Sequence, residues 1–374
     1  MISTSCDEVA KKVLDACIAG RPPKRLPAAL LQEPCARALF GVLAEGLADR
    51  FEPALCDMYA RLFSTALPGA DFGRYERVRR VRPVSGRPRR IYVLSRITLG
   101  ADIAITGVII NAARRRFPNA RIVFVGPRKN FELFAGEARI VHVPLDYCRG
   151  SIQQRAAAAG ELRRIVDDLV LDPDSRLTQL GLLPVGDESR YHLFESRSYG
   201  ADSSLALPQL ASQWCEQTLG LPGKMVGWNS GPSSGGIAVS LGVGENPAKR
   251  LPDPFESNLI QLLSSRGPVI IDRGASPDES ARVERAAEGT PAAFFEGSFA
   301  EFAKIIGSSS LYVGYDSAGQ HAAVASGVKL ISIFAGFPVP RMFERWRPVA
   351  PNATVIRVDQ PDPAQILEQV KSAL

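Results

Sequence analysis

The sequence predicts an α/β protein with two parallel-sheet domains in tandem behind a helical N-terminal region. Three observations carry this. From Arg90 onward, short β-branched runs alternate with amphipathic stretches, the pattern that builds βαβ units. The same alternation restarts after Gly223. The chain, at 374 residues, is also longer than a single core usually grows.

Residues 1–85 read as helices followed by an arginine-rich linker. Val9, Val13, Leu14 and Cys17 recur at helical spacing, as do Leu39, Leu43 and Leu47, with prolines as punctuation. Residues 86–223 form the first Rossmann-like domain, with strands at 91–94, 122–125, 140–143 and 169–171. Its helices fall at 102–116, 129–135 and 151–166, and Arg114, Arg115 and Arg116 suit a helix C-terminus. Residues 224–360 form the second, with strands at 237–241, 269–271, 294–295, 311–313 and 330–334. Helices near 254–265, 278–287 and 299–306 connect them, and the expected junction is Gly227–Gly236 or Gly220–Gly223. Residues 361–374 close the chain with a short helix carrying Ile366, Leu367 and Val370 on one face.

Charge narrows the partners. The net charge is +6, yet residues 74–90 carry eight arginines and one glutamate, so the basic character is local to that segment. Arg74–Arg90 is therefore either a solvated linker or a patch for anionic acceptors or a membrane surface. No aromatic-rich motif accompanies the arginines, so nucleic acid is not expected. The six cysteines show no metal-ligand spacing and read as reduced core residues. Apolar stretches such as Ile103–Ile110 are too short to span a bilayer and the N-terminus lacks an apolar signal block, so a cytoplasmic location is expected.

Three stretches at strand ends can carry chemistry. In "LSRITLGADIAITG", Asp102 stands where a strand turns into a helix, as an N-cap or as a general base facing a cleft. In "VSLGVGENPAKRLP", Gly242, Gly244 and Asn246 precede Lys249, as a plain turn with surface cations or as an anion-binding loop. In "YDSAGQHAAVASG", a helix starting near Ala318 would aim free amides at an anion, with Gly319 and Ala318 leaving room. Ser317 can donate to that anion and Asp316 can accept from a ligand hydroxyl, while His321 is a ligand contact or a satisfied core histidine.

In combination these stretches resemble glycosyltransferase family 9, the bacterial lipopolysaccharide heptosyltransferases of GT-B fold. The similarity lies in Asp102 through Phe117-Pro118-Asn119-Ala120-Arg121-Ile122, in Lys249-Arg250-Leu251-Pro252, in Gly297-Ser298-Phe299-Ala300-Glu301, and in Tyr315–Val328 with Phe334–Pro338 behind it. Two departures stand out: Ala101 separates Gly100 from the acid, and Ala318 occupies the glycine position after Asp316-Ser317.

The resemblance implies inverting sugar transfer from a nucleotide-diphosphate sugar, ADP-heptose first, with no metal or further cofactor. Asp102 is then the base. The donor site is Gly242, Gly244, Asn246, Lys249, Ser298, Asp316, Ser317, Ala318, Gly319 and His321. The acceptor is a glycan, lipid-linked glycan, natural product or protein. The fold also implies that the terminal helix crosses back to the N-terminal domain. A UDP- or GDP-hexose donor, or a nucleotide-sugar-binding scaffold without activity, are the alternatives.

Overall fold

A computed structural model describes residues 5–228, 235–244 and 246–374, so residues 229–234 of the expected Gly227–Gly236 junction lie outside it. The chain forms two compact units, Met1–Lys224 and Met225–Leu374, each built on an all-parallel sheet.

The first sheet has the order β3-β2-β1-β4-β5. Its strands are β1 (Arg90–Leu94), β2 (Arg121–Gly126), β3 (Ile140–Pro144), β4 (Leu169–Asp172) and β5 (Tyr191–Leu193). Central β1 pairs with both β2 and β4, so Val93 lies beside Phe124 and Leu171. Ile91–Leu94 are all buried, which is why this strand reads as an unbroken apolar run.

The N-terminal helices belong to this unit, which corrects their expected place as an appendage. They include α1 (Cys6–Ile18), α2 (Pro53–Ser64) and α3 (Phe72–Val78). Val13, Leu43, Tyr59, Phe63 and Tyr75 share one core with Tyr92, Leu94, Val123, Val170 and Leu193 from one face of the sheet. An apolar helix stripe must be buried, and this sheet face supplies the surface. The remaining helices α4 (Gly107–Arg116), α5 (Ile152–Ile165) and α6 (Leu207–Leu219) follow the sheet, α4 packing on α6.

Five of the eight arginines in the segment 74–90 are held by partners. Arg74 is buried, donating to the Gly181 carbonyl at 3.2 Å and lying over the Tyr191 ring. Arg77 makes a two-pronged contact with Glu188, and Arg82 donates to the carbonyls of Glu188 and Tyr191. Arg79 binds Asp57 and Glu195, and Arg90 binds Asp167. These five guanidiniums fasten α3 and its exit within this unit, while Arg80, Arg87 and Arg89 of the same segment are exposed. Not all cysteines are free thiols: Cys6 and Cys35 form a disulfide with Cα atoms 5.3 Å apart, within the reach of such a bond. Cys17, Cys56 and Cys215 are buried thiols and Cys148 is exposed.

The second sheet has the order β11-β10-β9-β6-β7-β8. It comprises β6 (Ile237–Ser240), β7 (Val269–Asp272), β8 (Ala293–Phe295), β9 (Leu311–Tyr315), β10 (Lys329–Phe334) and β11 (Ala353–Arg357). The helices are α7 (Phe255–Ser264), α8 (Pro277–Ala287), α9 (Phe299–Ser308), α10 (Ala318–Ser326), α11 (Pro340–Trp346) and α12 (Pro363–Ala373). The terminal helix α12 packs on α7 and β11, and Ile366 and Val370 share a core with Leu259, Leu263 and Ile356. Its apolar face thus completes the core of its own unit.

In each unit the strand order reverses between the first and fourth strands, at β1/β4 and at β6/β9. Open parallel sheets bind ligands beyond the carboxyl ends of strands at such a reversal. Among the described residues no helix is long and apolar enough to cross a membrane.

Candidate functional site

At the β6/β9 reversal, the loop after β6 meets the loop after β9. Asn246 opens the turn Pro247–Lys249, its side-chain oxygen accepting from the Ala248 amide at 3.0 Å. At the end of that turn Lys249 Nζ donates to the Asp316 carboxylate at 2.6 Å and to the Asp316 carbonyl at 3.2 Å. Gln320 Nε2 donates to the other Asp316 oxygen at 2.5 Å, and Ser332 of β10 donates to Gln320 Oε1 at 2.6 Å. The loop after β6 and the end of β9 are thereby tied together by one ammonium group, with Gln320 linking the same carboxylate to the middle of β10.

Ser317 is the N-cap of α10 and its side chain makes no capping bond, so the first-turn amides keep their capacity for an anion. Gly319 is required by packing. A Cβ there would lie 2.0 Å from the hydroxyl oxygen of Tyr312, which is fully buried. Ala318, in place of the family glycine, starts the helix without such a conflict, because the close approach falls one residue later. Gly244 has φ +60°, a conformation that favours glycine. Gly336 in the turn after β10 also has positive φ, and a Cβ there would lie 2.5 Å from the Ala248 carbonyl. The Phe-Pro turn is consequently pressed onto the lysine loop. Beside it a cavity of 420 Å³ is lined by Arg250, Gly336, Phe337 and Arg357, whose guanidinium lies over the Phe337 ring.

His321 takes the core position. It is 3% exposed, its ring lies 5.9 Å from that of Trp346, and burial pushes its pKa down to about 4 against the pull of Asp316. The imidazole is neutral at pH 7. Ser298 caps α9 instead of joining the cluster, its hydroxyl accepting from the Glu301 amide and donating to the Glu301 carboxylate. It stands beyond β8, two strands from β6. Gly242 faces Glu279, where a Cβ would lie 2.8 Å from Oε1.

At the β1/β4 reversal Asp102 is not an N-cap. Thr98 precedes the helix, and Asp102 sits a turn inside, where the chain widens into the π-helical segment Asp102–Thr106. The side chain is completely buried. One carboxylate oxygen accepts from the Arg96 amide at 2.7 Å and the Thr106 hydroxyl at 2.6 Å; the other accepts from the Ser95 hydroxyl and Asn130 Nδ2, both at 2.6 Å. Four donors fill the positions a carboxylate offers. Burial raises its pKa, with the four hydrogen bonds pulling the other way. Next to it Ile97 has φ +76°, a strained value for a β-branched residue.

Sequence reading missed the acids on the neighbouring strand end. Asp172, at the end of β4, accepts from the Ser175 amide and the Thr178 hydroxyl, both at 2.6 Å, and from the Tyr191 hydroxyl. Asp174 binds Arg197 at 2.8 and 3.0 Å, and Arg96 reaches the Pro173 carbonyl and the Ser196 hydroxyl. The Asp172-Pro173-Asp174 triplet directly after an apolar run was the available signal.

Residues 234–372 match the model of "Glycosyltransferase family 9 (heptosyltransferase)". No curated protein matches the chain. Among solved structures, the E. coli heptosyltransferase WaaC with ADP is 15% identical with a TM-score of 0.56, covering 76% of this chain and 100% of that one. The E. coli ADP-heptose lps heptosyltransferase II is 19% identical with a TM-score of 0.52, covering 76% and 98%. A family 9 glycosyltransferase from Veillonella parvula is 17% identical with a TM-score of 0.52, covering 76% and 90%. At these identities the structures establish a shared fold, the GT-B fold of two parallel α/β domains. The family match covers residues 234–372, within the second unit, and shows that part of the chain to be similar to glycosyltransferase family 9, while the solved structures show the fold that the chain shares with heptosyltransferases.

Proposed function

We propose that the chain transfers a sugar, with inversion, from a nucleotide-diphosphate sugar to an acceptor hydroxyl, and that ADP-heptose is the donor to test first. The observation that carries this is Lys249, whose ammonium is held beside the start of α10 at a strand reversal. A diphosphate placed there would compete with Asp316 for the Lys249 ammonium and meet the uncapped helix amides, which together stabilise the leaving group without a metal ion. The ADP in the heptosyltransferase WaaC structure supports adenine as the first base to try.

In the reaction the acceptor oxygen forms a bond to the anomeric carbon, the carbon–phosphate oxygen bond breaks, and the diphosphate leaves with the electron pair. Asp102 takes the acceptor proton. To do so it must release one of its two hydroxyl donors, Ser95 or Thr106, since both of those O–H groups can rotate. The acceptor is a glycan, a lipid-linked glycan, a natural product or a protein. The proposed setting is cytoplasmic, with three buried thiols kept reduced; the Cys6–Cys35 bond is the feature that counts against it.

A second reading, a nucleotide-sugar-binding scaffold, is favoured by the filled lone pairs of Asp102. Calorimetry with ADP, UDP and GDP, using the chain and its Lys249→Ala variant, tests the donor site. Micromolar binding of one nucleotide, weakened by the substitution, supports the site and names the base; UDP or GDP binding moves the donor to a hexose. No binding by any of the three ends the donor-site reading.

A further inference from the structure

Gln320 is completely buried on α10, one helical turn beyond the Asp316 carboxylate that holds Lys249. The other buried residues of this helix are mostly small, among them Gly319, Ala322 and Ala323. A long amide placed there is costly unless its polar atoms are engaged, because water cannot stand in for a missing partner. Each of them is engaged. Nε2 donates to Asp316 Oδ1 at 2.5 Å and to the carbonyl of Trp346, the last residue of α11, at 3.3 Å. Oε1 accepts from the Ser332 hydroxyl at 2.6 Å. A flipped amide would turn Oε1 toward a carboxylate and a carbonyl, neither of which can donate, so the neighbours fix its orientation.

The Asp316 side chain is 7% exposed and its carboxylate has Gln320 on Oδ1 and Lys249 on Oδ2. An ammonium carries three donors. Two of those on Lys249 go to Asp316, one to Oδ2 at 2.6 Å and one to the backbone carbonyl at 3.2 Å, which leaves the third for a ligand oxygen. Of this pair the lysine side chain is the more exposed, at 17%.

A buried carboxylate divides its charge among the donors around it. Take the Gln320 amide away, and Lys249 becomes the one side-chain donor left to Asp316 among the described residues. The pair then closes more tightly, and a diphosphate competes for the ammonium less well.

We propose that Gln320 is a positioning residue of the donor site: by holding Oδ1 of Asp316 it limits the grip of that carboxylate on Lys249 and keeps the ammonium available to a diphosphate. The inference rests on the donor-site reading of Lys249. Gln320 itself touches no ligand in it and acts through Asp316.

The test is calorimetry on the full chain with whichever of ADP, UDP and GDP the wild type binds most tightly. Four proteins form a cycle, namely wild type, Gln320→Met, Asp316→Asn and the double variant, each checked for its melting temperature. Gln320→Met keeps the length of the side chain and removes the donor. The expected result is roughly ten-fold weaker binding in Gln320→Met, and a change of under about two-fold when the same substitution is made in Asp316→Asn, where no charge is left to compete for Lys249. Should Gln320→Met lack a cooperative melt, Ser332→Ala takes its place, since it releases Oε1 and frees the amide to turn; roughly three-fold weaker binding is then expected. Unchanged binding in the first variant, equal weakening in both backgrounds, or loss of binding in Asp316→Asn alone overturns the proposal. A wild type that binds none of the three nucleotides ends the donor-site reading and this inference with it, whereas a wild type that binds and a cycle that fails end this inference only.

Discussion

Replacing Asp102 separates a catalytic acid from a structural one, provided that two substitutions are compared. Asp102→Ala leaves the donors of Ser95, Arg96, Thr106 and Asn130 facing a void. The two hydroxyls can turn elsewhere, but the Arg96 amide cannot, and each stranded donor costs about 1–3 kcal/mol. With the lost packing, a destabilisation of about 3 kcal/mol or more follows. Asp102→Asn behaves differently. Its retained oxygen can keep Arg96 and Thr106, and its new amide can donate to Ser95 Oγ and to Asn130, whose Oδ1 is buried without a partner and comes into reach if that amide flips. The expected cost is about 1 kcal/mol. Urea denaturation near pH 7 measures both, and release of ADP from ADP-heptose measures turnover. A base at this position predicts a loss of about 10²–10⁴ in turnover for Asp102→Asn with ADP binding unchanged. If Asp102→Ala lies within about 0.5 kcal/mol of wild type, the four-donor arrangement is refuted.

Other consequences are simpler to test. Gly319→Ala should destabilise the C-terminal unit by about 1–3 kcal/mol, and Tyr312→Phe should relieve it only in part, because the ring carbon Cζ also lies 2.4 Å from the added Cβ. His321 has its pKa lowered from 6.5 to about 4, so the native state binds fewer protons between those values and stability falls as pH drops from about 6.5 to about 4. The loss approaches about 3 kcal/mol, and His321→Gln should remove that part of the slope in denaturation measured across this range. Glu195 titrates in the opposite sense, since its pKa is raised from 4.5 to about 7: its contribution declines as pH rises between those values, and Glu195→Gln should flatten that decline. Arg74→Ala should cost about 2 kcal/mol in thermal or urea melts because its guanidinium is buried on Tyr191 and Gly181, whereas Arg87→Ala, at an exposed position, should cost under about 0.5 kcal/mol.

Much of the fold was legible. Strands buried on both faces must be apolar along their whole length, so Ile91–Leu94 and Leu330–Phe334 announce themselves. Short strands at the sheet edges do not. Tyr191–Leu193 is three residues long, and Ala353–Arg357 is only partly buried, so neither forms an apolar run. The Lys249, Asp316 and Gly319 segments were recognisable because each needs a particular residue type within a few positions. The assignment of Ser298 to the donor site was not supported by the geometry, since a hydroxyl three residues before a glutamate also satisfies a capping box.

The sequence by itself determined the two-domain α/β pattern and the loops that follow β1, β6 and β9, because hydrophobic period and turn residues are local properties. Only the tertiary structure decided what the charges do. Arg77 and Arg79 find Glu188 and Glu195 at separations of 111 and 116 residues, which turned an apparent basic linker into a clamp. The same holds for Asp102 and Glu195, one carboxylate with every lone pair engaged and the other with an oxygen left bare. The reactivity of a buried acid depends on how many donors surround it, and those donors are brought together by folding, not by proximity in the chain.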